Sequence, residues 1–185
     1  RRSSSAASDV YKRQNLNSGN YSFDMNTSSI GSINFSSLRG VAYNGEFFAL
    51  GETDNKNIYI WKGIPGLNDE PDYIIQNPVG VGRIDMNEEW LVVSAYPGAG
   101  SPVHVIKLAN LDSGIMLSVP GNDDFPQGVS INEKGFFIAL QGSNKVVGWS
   151  SVQDALNGSS PTMSFGGTTN KTCLLYTSDA ADEDL

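Results

Sequence analysis

The sequence predicts an all-β protein built from repeated four-stranded antiparallel sheets, and two observations carry this prediction. First, the segments RGVAYNGEFFALGE, GRIDMNEEWLVVSA and QGVSINEKGFFIALQ repeat one apolar pattern. Their central residues Val41, Ile84 and Val129 are 43 and 45 residues apart. Second, short apolar runs alternate with turn residues, and helical periodicity is nearly absent. An internal period of this length indicates a repeat protein.

The first two strands of each copy form a hairpin. Asn44-Gly45 separates VAY from FFAL, and NEKG at Asn132 takes the same place in the third copy. Such residues suit tight turns that need positive φ. FFAL, WLVV and FFIAL are apolar at every position, which is typical of strands buried on both faces. We therefore expect each sheet to be stacked between two neighbours.

The third and fourth strands complete each copy. NIYIWK, VHVIKL and KVVGWS follow the hairpins, and Trp61, Ile106 and Trp149 recur in them at steps of 45 and 43 residues. DYIIQ, IMLSV and TMSFG supply a short fourth strand. Only SSVQDALNG, with a cap at Ser150, reads as a helical turn. Four short strands per repeat predict the blades of an incomplete β-propeller.

Blade boundaries follow from this period. We assign residues 15–172 to a partial propeller, with outer strands of an earlier blade at 15–37 and complete blades at 38–78, 79–120 and 121–167. NYSFDM and SINF supply the two outer strands.

About 260 residues would be needed for six blades of roughly 43 residues, so we expect a truncated chain. Its open sheet edges and uncovered apolar faces predict poor solubility.

The two ends of the chain differ from the repeats. SSAASDVYKRQ (Ser4–Gln14) and CLLYTSDAADE (Cys173–Glu183) both fit one DNA word read from opposite strands. That word resembles the adapter of a transposase-based sequencing library. We therefore expect residues 1–14 and 173–185 to be disordered, adapter-derived tails outside the fold. The only cysteine, Cys173, lies in a tail, so the repeats predict no disulfide, zinc site or thiol nucleophile.

Charge and hydropathy exclude two further classes. The chain has 12 basic and 20 acidic residues and a net charge of -8. Without the tails, eight basic and fifteen acidic residues leave -7. This balance argues against a nucleic-acid or anionic-membrane surface. No apolar run reaches the roughly 20 residues of a membrane span.

One resemblance to a known family follows from the tryptophan segments. IWKGIPGLNDEPDYIIQNP (60–78) and WSSVQDALNGSSPTMSFGG (149–167) resemble a stretch of bacterial NHL-repeat-like propellers, which has an aliphatic residue, tryptophan, isoleucine-proline, a polar loop, proline and an aliphatic strand. Val152 and Pro161 take the places of the isoleucine and the later proline. In the second copy the matching segment, KLANLDSGIMLSV, lacks tryptophan and proline. The glycine-histidine and tryptophan-aspartate pairs of WD repeats are missing.

The repeats contain no convincing catalytic or metal site. His104 is the only histidine and lacks the second ligand or paired acid that metal binding or base catalysis needs, so we expect a structural or solvent-facing role. Asp123-Asp124 reads as a solvated turn because no D-x-D-x-D loop follows. Trp61 and Trp149 are expected in the blade core rather than in ligand stacking. We therefore predict no catalytic residues, no metal ligands and no cofactor in this segment.

Position in the repeat gives the candidate binding residues. In a propeller the loop before each innermost strand opens on the face around the central channel. Arg39, Arg83 and Gln127 occupy that entry in successive blades, give or take one position, and Glu52 and Gln141 follow the second strands. We predict that these five residues rim the channel mouth and contact a polar ligand or a protein loop. Ordinary solvated loop residues are the competing interpretation.

Two classes of function stay open. The resemblance favours a non-catalytic binding or scaffold propeller with a protein or small polar partner, and the missing catalytic groups agree with it. The alternative is a fragment of a propeller enzyme, a calcium-dependent lactonase-like hydrolase or a lyase, whose catalytic residues and calcium site lie in missing blades. The resemblance also implies an extracytoplasmic bacterial protein.

Overall fold

The computed structural model describes residues 29–96, 103–119 and 125–166. The predicted tails, the NYSFDM segment and the Asp123-Asp124 turn lie outside the described residues. The elements in chain order are β1 Ser29–Ile30, β2 Ile33–Asn34, β3 Leu38–Tyr43, β4 Phe47–Glu52, β5 Asn57–Lys62, β6 Tyr73–Gln76, β7 Gly80–Met86, β8 Trp90–Tyr96, β9 Val103–Lys107, a 3-10 helix Leu108–Ser113, β10 Met116–Val119, β11 Pro126–Asn132, β12 Gly135–Leu140, β13 Lys145–Trp149, α1 Val152–Leu156 and β14 Met163–Gly166.

Three four-stranded sheets follow the chain order. Their strand orders are β3-β4-β5-β6, β7-β8-β9-β10 and β11-β12-β13-β14, and β1 pairs only with β2. Every neighbouring pair of strands is antiparallel. This arrangement confirms the predicted all-β, incomplete β-propeller of four-stranded antiparallel blades. We call the sheets blades 1, 2 and 3. No helix in the described ranges is long and apolar enough to cross a membrane.

Stacking of the blades explains the apolar second strands. One cluster of buried side chains fills the space between blades 1 and 2, and another fills the space between blades 2 and 3. In β8, Leu91 and Val93 face blade 1, whereas Trp90 and Val92 face blade 3. Both faces of this strand are therefore buried, which leaves no place for polar alternation.

The short β1–β2 hairpin covers only part of the outer face of blade 1. Ile30 packs against Leu50, Tyr59 and Trp61, and Ser32 donates from its backbone N–H and its hydroxyl to the Glu70 carboxylate at 2.6 and 2.7 Å. The hairpin therefore covers the middle strands β4 and β5. The inner strand β3 stays open on this face.

A comparison of equivalent inner-strand positions shows how much burial a preceding blade provides. Ile84 and Val129 are buried against the blade before them. Val41 holds the same place in blade 1 but is 61% exposed, and Tyr43 two residues later is 48% exposed. On the opposite end of the arc, Phe165 of blade 3 is 59% exposed. The described arc thus has two open apolar faces.

The repeat-matched tryptophans belong to the blade core, as predicted. Trp61 and Trp149 are buried, and each indole N–H donates to a carbonyl of the loop before the fourth strand, Asp69 at 3.1 Å and Ser159 at 2.8 Å. A large apolar ring with one satisfied donor suits a buried position. The indoles therefore fasten this loop to the sheet in blades 1 and 3.

One local prediction is wrong, and one short element was not predicted. The cap of α1 is Ser151, whose hydroxyl accepts the Asp154 N–H at 3.1 Å, and not Ser150. The 3-10 helix was not predicted, because the second copy is short and lacks the tryptophan and proline of the other two. Its buried residues Leu108 and Leu111 pack into the cluster between blades 1 and 2.

Candidate binding cavity at the inner strands

Each innermost strand carries a β-bulge near its first residue. An extra residue leaves the ladder at a bulge and its side chain is turned in a new direction. Arg39, Arg83 and Gln127 occupy these bulges. The pairs that flank them are Leu38 with Glu52 and Gly40 with Gly51, Val81 with Ala95 and Ile84 with Val93, and Pro126 with Leu140 and Gly128 with Ala139.

The three bulge residues line one cavity. Its volume is about 340 Å³. Arg39 and Arg83 are exposed side chains in its wall, and Gln127 is half-buried. Three of the five candidate residues selected from the sequence therefore lie around one opening. The complete lining is Ser37, Leu38, Arg39, Gly82, Arg83, Ala95, Tyr96 and Gln127.

Close backbone approach holds the first two bulges side by side. A Cβ atom at Gly40 would lie 2.8 Å from Ile84 Cγ1 and 3.0 Å from the Gly82 carbonyl oxygen. Only glycine fits there without displacing blade 2. Because Gly40 follows Arg39 and Gly82 precedes Arg83, this contact brings the two arginines to neighbouring positions on the cavity wall.

Side chains also satisfy the backbone groups that the bulge in β7 frees. The buried Ser94 hydroxyl accepts the Arg83 N–H at 2.8 Å and donates to the Arg83 carbonyl oxygen at 3.3 Å. An unpaired backbone donor would otherwise lose a hydrogen bond. Ser94 therefore fixes the backbone from which the Arg83 side chain extends.

Tyr96 orients the other arginine. The Arg39 guanidinium carbon lies 3.7 Å from the centre of the Tyr96 ring, a distance at which cation and ring attract each other. This contact restricts the Arg39 side chain, whose N–H donors lie in the plane of the guanidinium. Neither cavity arginine has an ion-pair partner among the described carboxylates.

Glu52 does not line this cavity. Its side chain is buried, and Ser36 donates to Oε1 from both its N–H and its hydroxyl at 2.7 Å, while the Tyr59 hydroxyl donates to Oε2 at 2.9 Å. Burial alone would raise the pKa of Glu52, but these bonds and one from Asn55 lower it below its ordinary value. Glu52 thus holds the chain segment that leads to Arg39.

Gln141 also lies away from the cavity wall. It is exposed in the turn after β12, and its backbone N–H donates to the Phe125 carbonyl oxygen at 2.9 Å. The predicted group of five is therefore split. Arg39, Arg83 and Gln127 share the cavity, whereas Glu52 is buried outside its lining and Gln141 belongs to the turn after β12.

His104 lies buried between blades 1 and 2. Its Nδ1 is 2.7 Å from Asn77 Oδ1, and Asn77 Nδ2 donates to the Val79 carbonyl oxygen. This amide orientation makes Asn77 Oδ1 the acceptor and His104 Nδ1 the donor. Burial lowers the pKa of His104. Val103 and Val105 face blade 3, on the other side of the strand, as predicted.

Sequence reasoning missed Tyr96 and Ser94. Both belong to the second strand of blade 2, at the end where Glu52 and Gln141 were selected in the other blades. Tyr96 lies in AYPGAGSP, whose prolines and glycines indicate a turn and not a binding residue. Alignment of all three second-strand ends would have identified Tyr96. Among the described residues, no group of three or more His, Cys, Asp or Glu side chains is placed to hold a metal ion.

Comparisons with known proteins support the fold. The chain resembles the computationally designed Ika4 protein (TM-score 0.59, 15% identity, 83% of this chain and 87% of that chain). It also resembles a chain of a nidogen/laminin complex (TM-score 0.52, 15% identity, 77% and 49%). A third match is the β-propeller domain of Cps50 (Swd1) from Myceliophteria thermophila (TM-score 0.50, 6% identity, 72% and 43%).

These matches cover only part of two of the compared chains, and their sequence identity is low. The chain spans less than half of the nidogen/laminin and Cps50 chains. No protein-family model matches it, and no curated protein matches it. At these identities the comparisons establish the β-propeller fold.

Proposed function

We propose that this chain is part of a non-catalytic binding or scaffold propeller, of the NHL-like kind that its tryptophan segments resemble. Its cavity recognises a polar ligand or a polar group of a protein partner. One observation carries the proposal: three successive bulges direct Arg39, Arg83 and Gln127 into a shared cavity. Bulges occur frequently next to functional sites, where they re-aim a side chain.

The construction of the cavity supports recognition over catalysis. The cavity residues offer guanidinium, amide, hydroxyl and phenol groups, which form directional hydrogen bonds. Tyr96 contacts the Arg39 side chain, and Ser94 hydrogen-bonds to the Arg83 backbone. Polar groups that are fixed before binding lose little conformational entropy when a ligand arrives.

NMR mapping with a mixed panel of compounds tests this function. The panel contains neutral sugars, amino acids, short peptides, carboxylates and phosphate, and the readout is the backbone amide signals of Gly40, Gly82 and Gly128. We expect at least one compound to shift these signals, and Arg39→Ala or Arg83→Ala to weaken that binding. Binding that leaves the three amides unmoved and both variants unaffected would contradict the proposal.

A further inference from the structure

We propose that the group held in this cavity is an oxyanion, a carboxylate or a phosphate, bound between Arg39 and Arg83. The inference rests on the proposed function and names the chemical class of its ligand. It depends on the charge of the cavity wall, on the direction of its donors, and on the partners of the acids nearby.

The cavity wall is cationic in an acidic protein. The chain carries a net charge of -8, yet two of the eight lining residues are arginines and none is an aspartate or a glutamate. Two positive charges on one cavity wall raise its electrostatic energy, and an anion bound there lowers it. A concave wall of one charge also attracts ligands of the opposite charge.

Two acids in the strands beside the cavity, the buried Glu52 and the half-buried Asp85, already accept hydrogen bonds. The Glu52 carboxylate accepts the bonds from Ser36 and Tyr59. Asp85 Oδ1 accepts the N–H of Met86, and Oδ2 accepts the N–H of Ile131 in blade 3 at 2.9 Å. These carboxylates fix the inner strands instead of neutralising the cavity arginines. The arginines therefore remain available to an external anion.

The donors suit a planar or tetrahedral oxyanion. The contact with Tyr96 restricts the Arg39 guanidinium, whose N–H groups all lie in one plane. Guanidinium edges bind carboxylate and phosphate oxygens through two parallel hydrogen bonds. Ser37 and Gln127 add a hydroxyl and an amide to the wall. A neutral sugar would use these two groups and leave both positive charges unpaired.

Isothermal titration of the full chain distinguishes the sources of the anion. The probes are inorganic phosphate, citrate and the peptide Glu-Glu-Glu, with glucose as the neutral comparison. We expect at least one anion to bind with a heat that glucose does not give. Arg39→Ala and Arg83→Ala should each weaken it by about 10- to 100-fold, the worth of a charge-assisted hydrogen bond, and added salt should weaken it as well.

Matched variants separate specific contacts from general charge. Lys134→Ala removes one positive charge from the exposed β11–β12 turn, at the other end of the inner strand from the bulge, and should leave the affinity unchanged. Arg39→Lys keeps the charge but loses the planar fork, so we expect a smaller loss than with Arg39→Ala. An equal loss with Lys134→Ala would show non-specific attraction and overturn the inference.

The remaining outcomes separate this inference from the proposed function. Phosphate binding alone, or carboxylate binding alone, supports the inference and identifies the source. Glucose binding that is sensitive to Arg83→Ala, without anion binding, would overturn the oxyanion class but keep a polar-ligand site. Failure of every anion and of the neutral panel to shift Gly40, Gly82 and Gly128 would overturn both.

Discussion

Replacement of Glu52 by glutamine perturbs the buried carboxylate that holds the entry to the first inner strand. Glutamine has nearly the same shape and keeps one oxygen acceptor. The three hydrogen bonds from Ser36 and Tyr59, at 2.7, 2.7 and 2.9 Å, lose their charged acceptor. Because the Ser36 segment leads directly to Arg39, this change affects both folding and the geometry of the cavity.

The expected loss of stability follows from these bonds. A bond to a charged group contributes roughly 1 kcal/mol more than a neutral one, so three bonds give a gross loss of about 3 kcal/mol. Removing a buried charge returns part of this energy, because a neutral amide costs less to desolvate. We therefore expect Glu52→Gln to lower the free energy of unfolding by about 1 to 2 kcal/mol at pH 7.

Through Glu52, the free energy of unfolding should decrease as the pH falls. The folded protein lowers the pKa of Glu52 below its ordinary value of 4.5. Its stabilising contribution is therefore complete above pH 4.5 and is lost as the pH falls through the folded pKa. Urea unfolding followed by tryptophan fluorescence should show the difference between the two proteins narrowing below pH 4.5.

A matched control uses the same substitution on the surface. Glu89 is exposed and pairs with Lys107 at 3.4 Å, so Glu89→Gln should cost about 0.5 kcal/mol or less. The reasoning would be refuted if Glu52→Gln were as mild as Glu89→Gln. It would also be refuted if the loss in Glu52→Gln were equal at pH 7 and well below pH 4.5.

Three further predictions test other parts of the structure. Val41→Lys places a charge on the open face of blade 1 and should reduce concentration-dependent self-association in sedimentation velocity; equal association of both proteins would contradict this. Burial holds the pKa of His104 below 6.5, so between pH 6.5 and 4.5 the wild type should lose stability as the pH falls and His104→Gln should not; parallel pH profiles in this range would argue against it. Gly40→Ala places a Cβ 2.8 Å from Ile84 and should lower the free energy of unfolding by about 1 to 3 kcal/mol. Gly66→Ala, in a loop, should lower it less. Equal thermal midpoints of the two variants would refute the close contact at Gly40.

Much of the blade architecture could be predicted because it depends on periodic burial. Val41, Ile84 and Val129 mark the same position in each copy, and the continuous apolar second strands require a sheet on either side. The turn at Asn44-Gly45 follows from local backbone preference. These features are encoded within each repeat, so a single sequence is enough to find them.

The cavity could be predicted only in part, since it depends on contacts between repeats. The glycine beside each of Arg39, Arg83 and Gln127 is a local trace of a bulge, but the register of the second strand decides where the extra residue lies. Glu52 was placed at the rim because its strand ends there. Its burial depends on Ser36, which comes from the segment before the blade, and no pattern within the repeat shows that contact.

NMR of the arginine side chains tests the central claim, that neighbouring bulges present one shared site. The Nε–H signals of Arg39 and Arg83 are followed while the anion identified by calorimetry is added. A shared site predicts that both signals shift along a single binding curve with one midpoint, while the Lys134 amide does not move. Two separate midpoints, or a shift of only one arginine, would contradict the account.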